Sequence, residues 1–110
     1  LSTLTDIHAS EIHGNGLFAA QIIVPTAVIA PLFFLRHPIK GFPAWPRDIE
    51  ILPECWNLNH RKEANCTVAS DGRKWFLVAG SAPIEQGDEL TINYAHLPHF
   101  MDRRTTGFAD

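Results

Sequence analysis

Short apolar runs, separated by clusters of Gly, Pro, Asp and Asn, follow one another along the whole chain. Thr5-Asp6-Ile7-His8-Ala9 reads as a short strand, followed by the turn residues Gly14-Asn15-Gly16. Extended structure resumes over residues 17–20, and Val28 to Leu35 is apolar and β-prone on both faces, as a buried strand is. From residue 36 to 53 the pattern breaks up: His37-Pro38, Gly41-Phe42-Pro43 and Trp45-Pro46 each oppose helix, which predicts an ordered loop with one helical turn at 47–52. Residues 66–69 and 75–79 read as a hairpin around Ser70-Asp71-Gly72-Arg73, whose Asp-Gly supplies the positive-φ position such turns require. A further turn at 83–88 leads into 89–94, where polar and apolar residues alternate as in a half-buried strand. No window gives a long helix, and no internal repeat is present. The pattern predicts a mainly β fold of several short strands in small sheets with little helix.

Length and charge narrow the function. At 110 residues the chain is expected to form a single domain over 1–110. A domain of this size buries roughly two-thirds of its unfolded surface, enough for one modest core, and a hydrophobic share of 45% is that of a globular chain. The net charge is −3 and Lys and Arg form no stripe, so the electrostatic footprint of a nucleic-acid binder is missing. A mildly acidic surface suits a basic peptide partner. Cys55 and Cys66 have neither zinc-cluster spacing nor the number for a disulfide scaffold, and read as reduced core thiols. The apolar stretch at 22–35 is too short, and too broken by Pro25 and Pro31, to span a bilayer. With no signal-peptide pattern either, the expectation is an intracellular protein that binds no membrane.

Three segments carry candidate chemistry: Gly14-Asn15-Gly16-Leu17-Phe18-Ala19; Asn59-His60 followed by Asn65-Cys66; and Gly87-Asp88-Glu89-Leu90-Thr91-Ile92-Asn93-Tyr94. Each alone is weak, since a lone Gly-x-Gly is usually a turn. In this order and spacing they resemble the G-x-G-L/V-F-A, N-H-S-C-x-P-N-C and G-E-E-L-T-x-D-Y motifs of SET-domain protein-lysine methyltransferases, in a minimal stand-alone form. The resemblance spans about residues 7–95. It implies a β-clip, SET-like fold with a C-terminal pseudoknot-like crossing, and S-adenosyl-L-methionine as cofactor. It also implies methyl transfer to the ε-amine of lysine in a histone or another basic protein.

By that resemblance Gly14, Asn15, Gly16 and Leu17 would run beside the methionine part of the cofactor, where residues without Cβ let the backbone approach closely. Asn59 would place its amide near the methionine amine, and the His60 backbone would lie near the adenine. Asn65 would be structural, bonding loop backbone. Tyr94, the single tyrosine of the chain, would be the catalytic residue. An amine must be neutral to attack a sulfonium methyl, yet free lysine titrates near ~10.4. A desolvated channel beside a positive charge disfavours the ammonium, and a phenol at its end can orient the amine. On residue type alone, Gly14–Gly16 could be a plain turn, Asn59 a cap, His60 a satisfied core histidine and Tyr94 a strand tyrosine packing one face.

The sequence departs from the family at several points. Arg61-Lys62-Glu63-Ala64 replaces Ser-Cys-x-Pro, Asn93 stands where the family has Asp, and Ala95 where it has Gly. Further channel tyrosines are missing, so Phe100, Phe108, Trp56 and Trp75 are the aromatic candidates for that lining, with Trp75 and Phe76 equally suited to the core. Val68 and Ile92 occupy positions where the family sets methylation multiplicity; neither carries a hydroxyl, which predicts addition of more than one methyl. The substrate-binding insert is reduced to 36–54, so a homodimer that completes the site is a further expectation. Two other readings stay open: a module that holds cofactor or peptide with little catalysis, and a metal site from His96 and His99 joined by His60. The last lacks carboxylate or cysteine partners at ligand spacing, and no metal is expected.

Overall fold

The computed structural model describes residues 3–38, 41 and 43–98. Among the described residues, eight strands form two four-stranded sheets. The first has the order β1 (Thr5–Ala9), β2 (Asn15–Ala19), β8 (Glu89–Ile92) and β5 (Asn59–His60). The second runs β4 (Ile49–Ile51), β3 (Val28–Leu35), β7 (Lys74–Ala79) and β6 (Cys66–Ser70). One short helix, α1 (Pro53–Trp56), and a 3-10 turn at Tyr94–His96 complete the elements. The architecture is mainly β with small sheets and little helix, as the pattern predicts. No helix among the described residues is long and apolar enough to cross a membrane.

One apolar cluster joins the sheets. Leu17, Leu90 and Ile92 of the first meet Leu32, Phe33, Ile49 and Leu77 of the second in it, all at most 1% exposed. Trp75 stacks on Phe33 with ring centroids 4.9 Å apart, which gives it to the core. Trp56, by contrast, is 40% exposed and meets Trp45 edge to face. On β3 the in–out alternation is broken: Val28 and Pro31 are exposed while the pairs Ile29-Ala30 and Leu32-Phe33 are buried. Its register against β7 shifts at two places, between Val28 and Ala30 and between Pro31 and Phe33. Such irregularities let successive residues face the core, and the second accommodates a proline that cannot donate to the ladder.

The β6–β7 hairpin closes through its turn chemistry. Asp71 Oδ1 accepts from the amides of Arg73 at 2.9 Å and Lys74 at 2.8 Å, and Gly72 takes a φ of +94°. Those backbone N–H groups, Lys74 first, hold the Asp71 carboxyl below its usual range.

Residues 36–53 differ from the expectation in one respect. The helical turn predicted at 47–52 is not there: Ile49-Glu50-Ile51 pairs with β3, and the helical turn follows at Pro53–Trp56. The alternation of two buried isoleucines around a half-buried Glu50 is a strand period. Pro53 starts the helix instead, because a first turn has no use for its missing N–H. The loop before β4 is held by Asp48, which is 2% exposed. Its carboxylate accepts from the Ala44 amide at 2.9 Å and from the Arg47 guanidinium, and pairs with His37 Nε2 at 3.0 Å. A buried charge persists when paired and hydrogen-bonded in this way.

The last strand also ends earlier than predicted. β8 stops at Ile92; Asn93 then accepts the Ala95 amide at 3.0 Å and starts the 3-10 turn. Asn side chains compete with strand ladders for backbone amides in this manner, so Tyr94 stands on a turn rather than on a strand. The pseudoknot-like crossing would involve chain beyond Pro98, outside the described residues.

Candidate functional site

The three motif segments meet around β8, the strand that lies between β2 and β5. Antiparallel pairing sets Leu17 against Leu90 and Phe18 against Glu89. Parallel pairing sets Asn59 against Thr91 and His60 against Ile92. β8 therefore brings together segments that stand more than forty residues apart, Asn59 and Asn15 among them.

Asn59 is the hub. It is 5% exposed, and four acceptors surround its Nδ2: Glu89 Oε2 at 2.8 Å, Ser10 Oγ at 3.0 Å, His13 O at 3.1 Å and Asn15 O at 3.3 Å. Two hydrogens serve four acceptors, so this corner holds more lone pairs than the amide can satisfy. The Ser10 hydroxyl lies 2.8 Å from both Glu89 oxygens, and its oxygen accepts the Ile12 amide at 2.9 Å. The Ser10 amide donates to Gly14 O at 2.8 Å, closing the turn.

The two glycines of this turn serve different ends. Gly14 takes a φ of +47°, the left-handed region, and a Cβ there would meet open space. Gly16 is buried, and a Cβ built on it would collide with the Glu89 carboxylate and lie 3.0 Å from Ser10 Cβ. Its missing side chain makes room for a protein carboxylate.

Tyr94 bonds the two residues that flank Asn59. Its hydroxyl donates to Leu58 O at 2.7 Å, the carbonyl just before Asn59, and its amide donates to His60 Nδ1 at 3.0 Å. The two rings lie 5.1 Å apart at a tilt of 51°. Because Nδ1 accepts, the neutral His60 ring carries its proton on Nε2. Asn65 braces β8 from below: Nδ2 donates to Glu89 O at 2.9 Å and Oδ1 accepts the Thr91 amide at 2.9 Å. The role is structural, but the backbone it bonds is that of strand β8 rather than the loop expected. A hollow of about 320 Å³ opens beside β8, lined by Arg61, Glu63, Asn65, Asp88, Glu89 and Thr91.

The structure thus brings Gly14, Asn15, Gly16 and Asn59 into one network, and His60 and Tyr94 into direct contact. Leu17 contributes backbone alone, since its side chain is fully buried. Ile92 is 1% exposed in the core and Val68 is half-buried against it on β6. Phe100 and Phe108 lie outside the described residues, as does His99 of the metal reading. Among the described residues no group of three His, Cys, Asp or Glu side chains is placed to hold a metal. Sequence reasoning missed Ser10 and the Leu58 carbonyl, and gave no role to Glu89. A signal for Glu89 was present: a glycine inside a strand marks close approach by another group.

No protein-family model matches the chain, and a search of curated proteins finds no match. Among solved structures, a Plasmodium falciparum protein described as a candidate histone methyltransferase matches with a TM-score of 0.61. The two are 19% identical, and the match covers 88% of this chain and 97% of the other. At that identity the likeness establishes a shared fold.

Proposed function

We propose that this chain is a SET-type methyltransferase that uses S-adenosyl-L-methionine to methylate the ε-amine of lysine in a basic protein. The observation that carries the reading is the convergence on β8: the Asn59 amide rests on the carbonyls of His13 and Asn15, and the Tyr94 hydroxyl on the carbonyl preceding Asn59. The acceptor surplus around Asn59 suits the cofactor's ammonium, and the open side of Gly14 leaves its backbone approachable. Residues 13–16 with Asn59 and His60 would hold the cofactor, which when bound supplies a methyl group on a sulfonium. Tyr94 would orient the substrate amine, its hydroxyl fixed in direction by Leu58. Val68, half-buried on β6, would line the lysine channel; Ile92, 1% exposed, belongs to the core, and Phe100 lies outside the described residues. The net charge of −3 favours a basic substrate, a histone or another lysine-bearing protein, over nucleic acid. A second copy completing the short substrate platform belongs to the same reading; a monomeric mass with full activity would remove that part.

The test combines titration calorimetry with S-adenosyl-L-methionine and transfer of labelled methyl to a panel of basic proteins, for the wild type and Tyr94→Phe. Cofactor should bind both, and turnover should drop about a hundredfold or more in the variant. Binding without transfer by the wild type would select the alternative of a holding module. Neither heat nor transfer would end the proposal.

A further inference from the structure

The geometry points to Glu89 as a positioning residue that sets the turn Gly14–Gly16 and, through it, the affinity for cofactor; the second clause rests on the function proposed above. Glu89 belongs to β8, yet its carboxylate bonds two other elements at once. It accepts from the Ser10 hydroxyl, at the start of the turn, and from the Asn59 amide on β5, each at 2.8 Å. Ser10 passes the restraint on: its oxygen accepts the Ile12 amide at 2.9 Å and its own amide holds Gly14 O at 2.8 Å. Asn59 passes it to the carbonyls of His13 and Asn15. One side chain therefore fixes both ends of the loop whose backbone would face the cofactor.

The space at Gly16 is the imprint of the same contact, since a Cβ there would overlap the Glu89 carboxylate. The carboxylate is part-buried, and among the described residues no cationic side chain lies within ion-pair distance of it. Its charge is spent on Ser10 and Asn59, and hydrogen bonds to a charged acceptor are roughly twice as strong as neutral ones. A neutral or shorter side chain leaves the loop with weaker restraint and Asn59 with a choice among the remaining acceptors. Glu89 touches no reacting atom in this account; it acts through Ser10 and Asn59.

The experiment uses Glu89→Ala and Glu89→Gln in the full chain, with two readouts: steady-state kinetics over a range of S-adenosyl-L-methionine, and amide hydrogen exchange. In Glu89→Ala the cofactor KM should rise about tenfold or more, and by a larger factor than kcat falls. Glu89→Gln should lie between, because its carbonyl oxygen can still accept both bonds at the position of Oε2 but carries no charge, and its NH2 replaces the second acceptor of Ser10. The Ser10 and Ile12 amides should exchange faster in both variants, while the Ala79 amide, bonded to Ala27 O on the far sheet, keeps its wild-type rate. Equal losses in kcat and cofactor affinity, or wild-type exchange at Ser10 and Ile12 in Glu89→Gln, would overturn the inference. A wild type that neither binds nor uses the cofactor would sink the proposed function, and exchange at Ser10 and Ile12 would then decide the positioning role alone.

Discussion

Gly16→Ala tests the architecture of the site without reference to any ligand. The added methyl would overlap a Glu89 oxygen and lie 2.8 Å from Glu89 Cδ and 3.0 Å from Ser10 Cβ. The backbone of Gly16 is fixed by its pairing with His8 on β1, so the flexible carboxylate must yield. Moving it breaks the bonds from Ser10 and Asn59, each worth about 1.5–3 kcal/mol to a charged acceptor, with part recovered from water because Glu89 is only half-buried. Losing a glycine also trims unfolded-state entropy, a stabilising effect of about 0.4–1 kcal/mol. The net expectation is a destabilisation of about 1–2 kcal/mol, or roughly 1 M off the urea midpoint for a chain of this size. In a Glu89→Ala background the obstacle is gone, so the same substitution should cost much less, giving a coupling of about 1–2 kcal/mol. Gly14→Ala is the control: it meets no atom within 4 Å but must hold a φ of +47°. It should cost about 1–2 kcal/mol irrespective of residue 89. An unchanged midpoint for Gly16→Ala, or strict additivity with Glu89→Ala, would refute the reasoning.

Other outcomes follow from the same structure. Asp48→Asn should lower the thermal midpoint at neutral pH, because Arg47 and His37 lose a charged partner. The Arg47 guanidinium and then the Ala44 amide hold the Asp48 carboxyl below its usual 3.8, so its contribution is present above that range and fades as pH falls through the lowered value. Acid melts should show that loss in the wild type and not in the variant. Burial pushes the Cys66 thiol up to about 12 and the Cys55 thiol higher still, so neither should react with iodoacetamide at pH 8 until the chain unfolds. Rapid native labelling would contradict the core assigned here. Under the proposed function, a mass-spectrometric time course should show di- or trimethylated product, since Val68 and Ile92 carry no hydroxyl; a stop at one methyl would refute it.

What could be read from the sequence was local. β1, β3 and the β6–β7 hairpin follow from short-range pattern and turn chemistry: the bonds that close Asp71-Gly72 lie within three residues. Parallel pairing of β5 with β8 is a different matter. β5 is two residues long, and its partner lies 32 positions away in sequence, at Thr91 for Asn59. No periodicity can announce such a pair; the motif resemblance put it within reach. The strand at 49–51 was obscured by the prolines on either side of it, and the end of β8 by an alternation that runs on past Ile92 although Asn93 redirects the backbone. Within the site, the residues named in advance were those of the motifs. Ser10 was hidden because it lies outside them, and the Leu58 carbonyl because backbone atoms leave no mark on residue type.

The central claim is that Gly14–Gly16, Asn59-His60 and Tyr94 border one cofactor cleft, and amide chemical shifts followed during titration with S-adenosyl-L-methionine address it most directly. Saturable shifts are expected at Gly14, Asn15, Gly16, Asn59, His60 and Tyr94 with one shared affinity, and little change along β6 and β7. Shifts confined to one of the three segments, or none at a saturating dose, would contradict it.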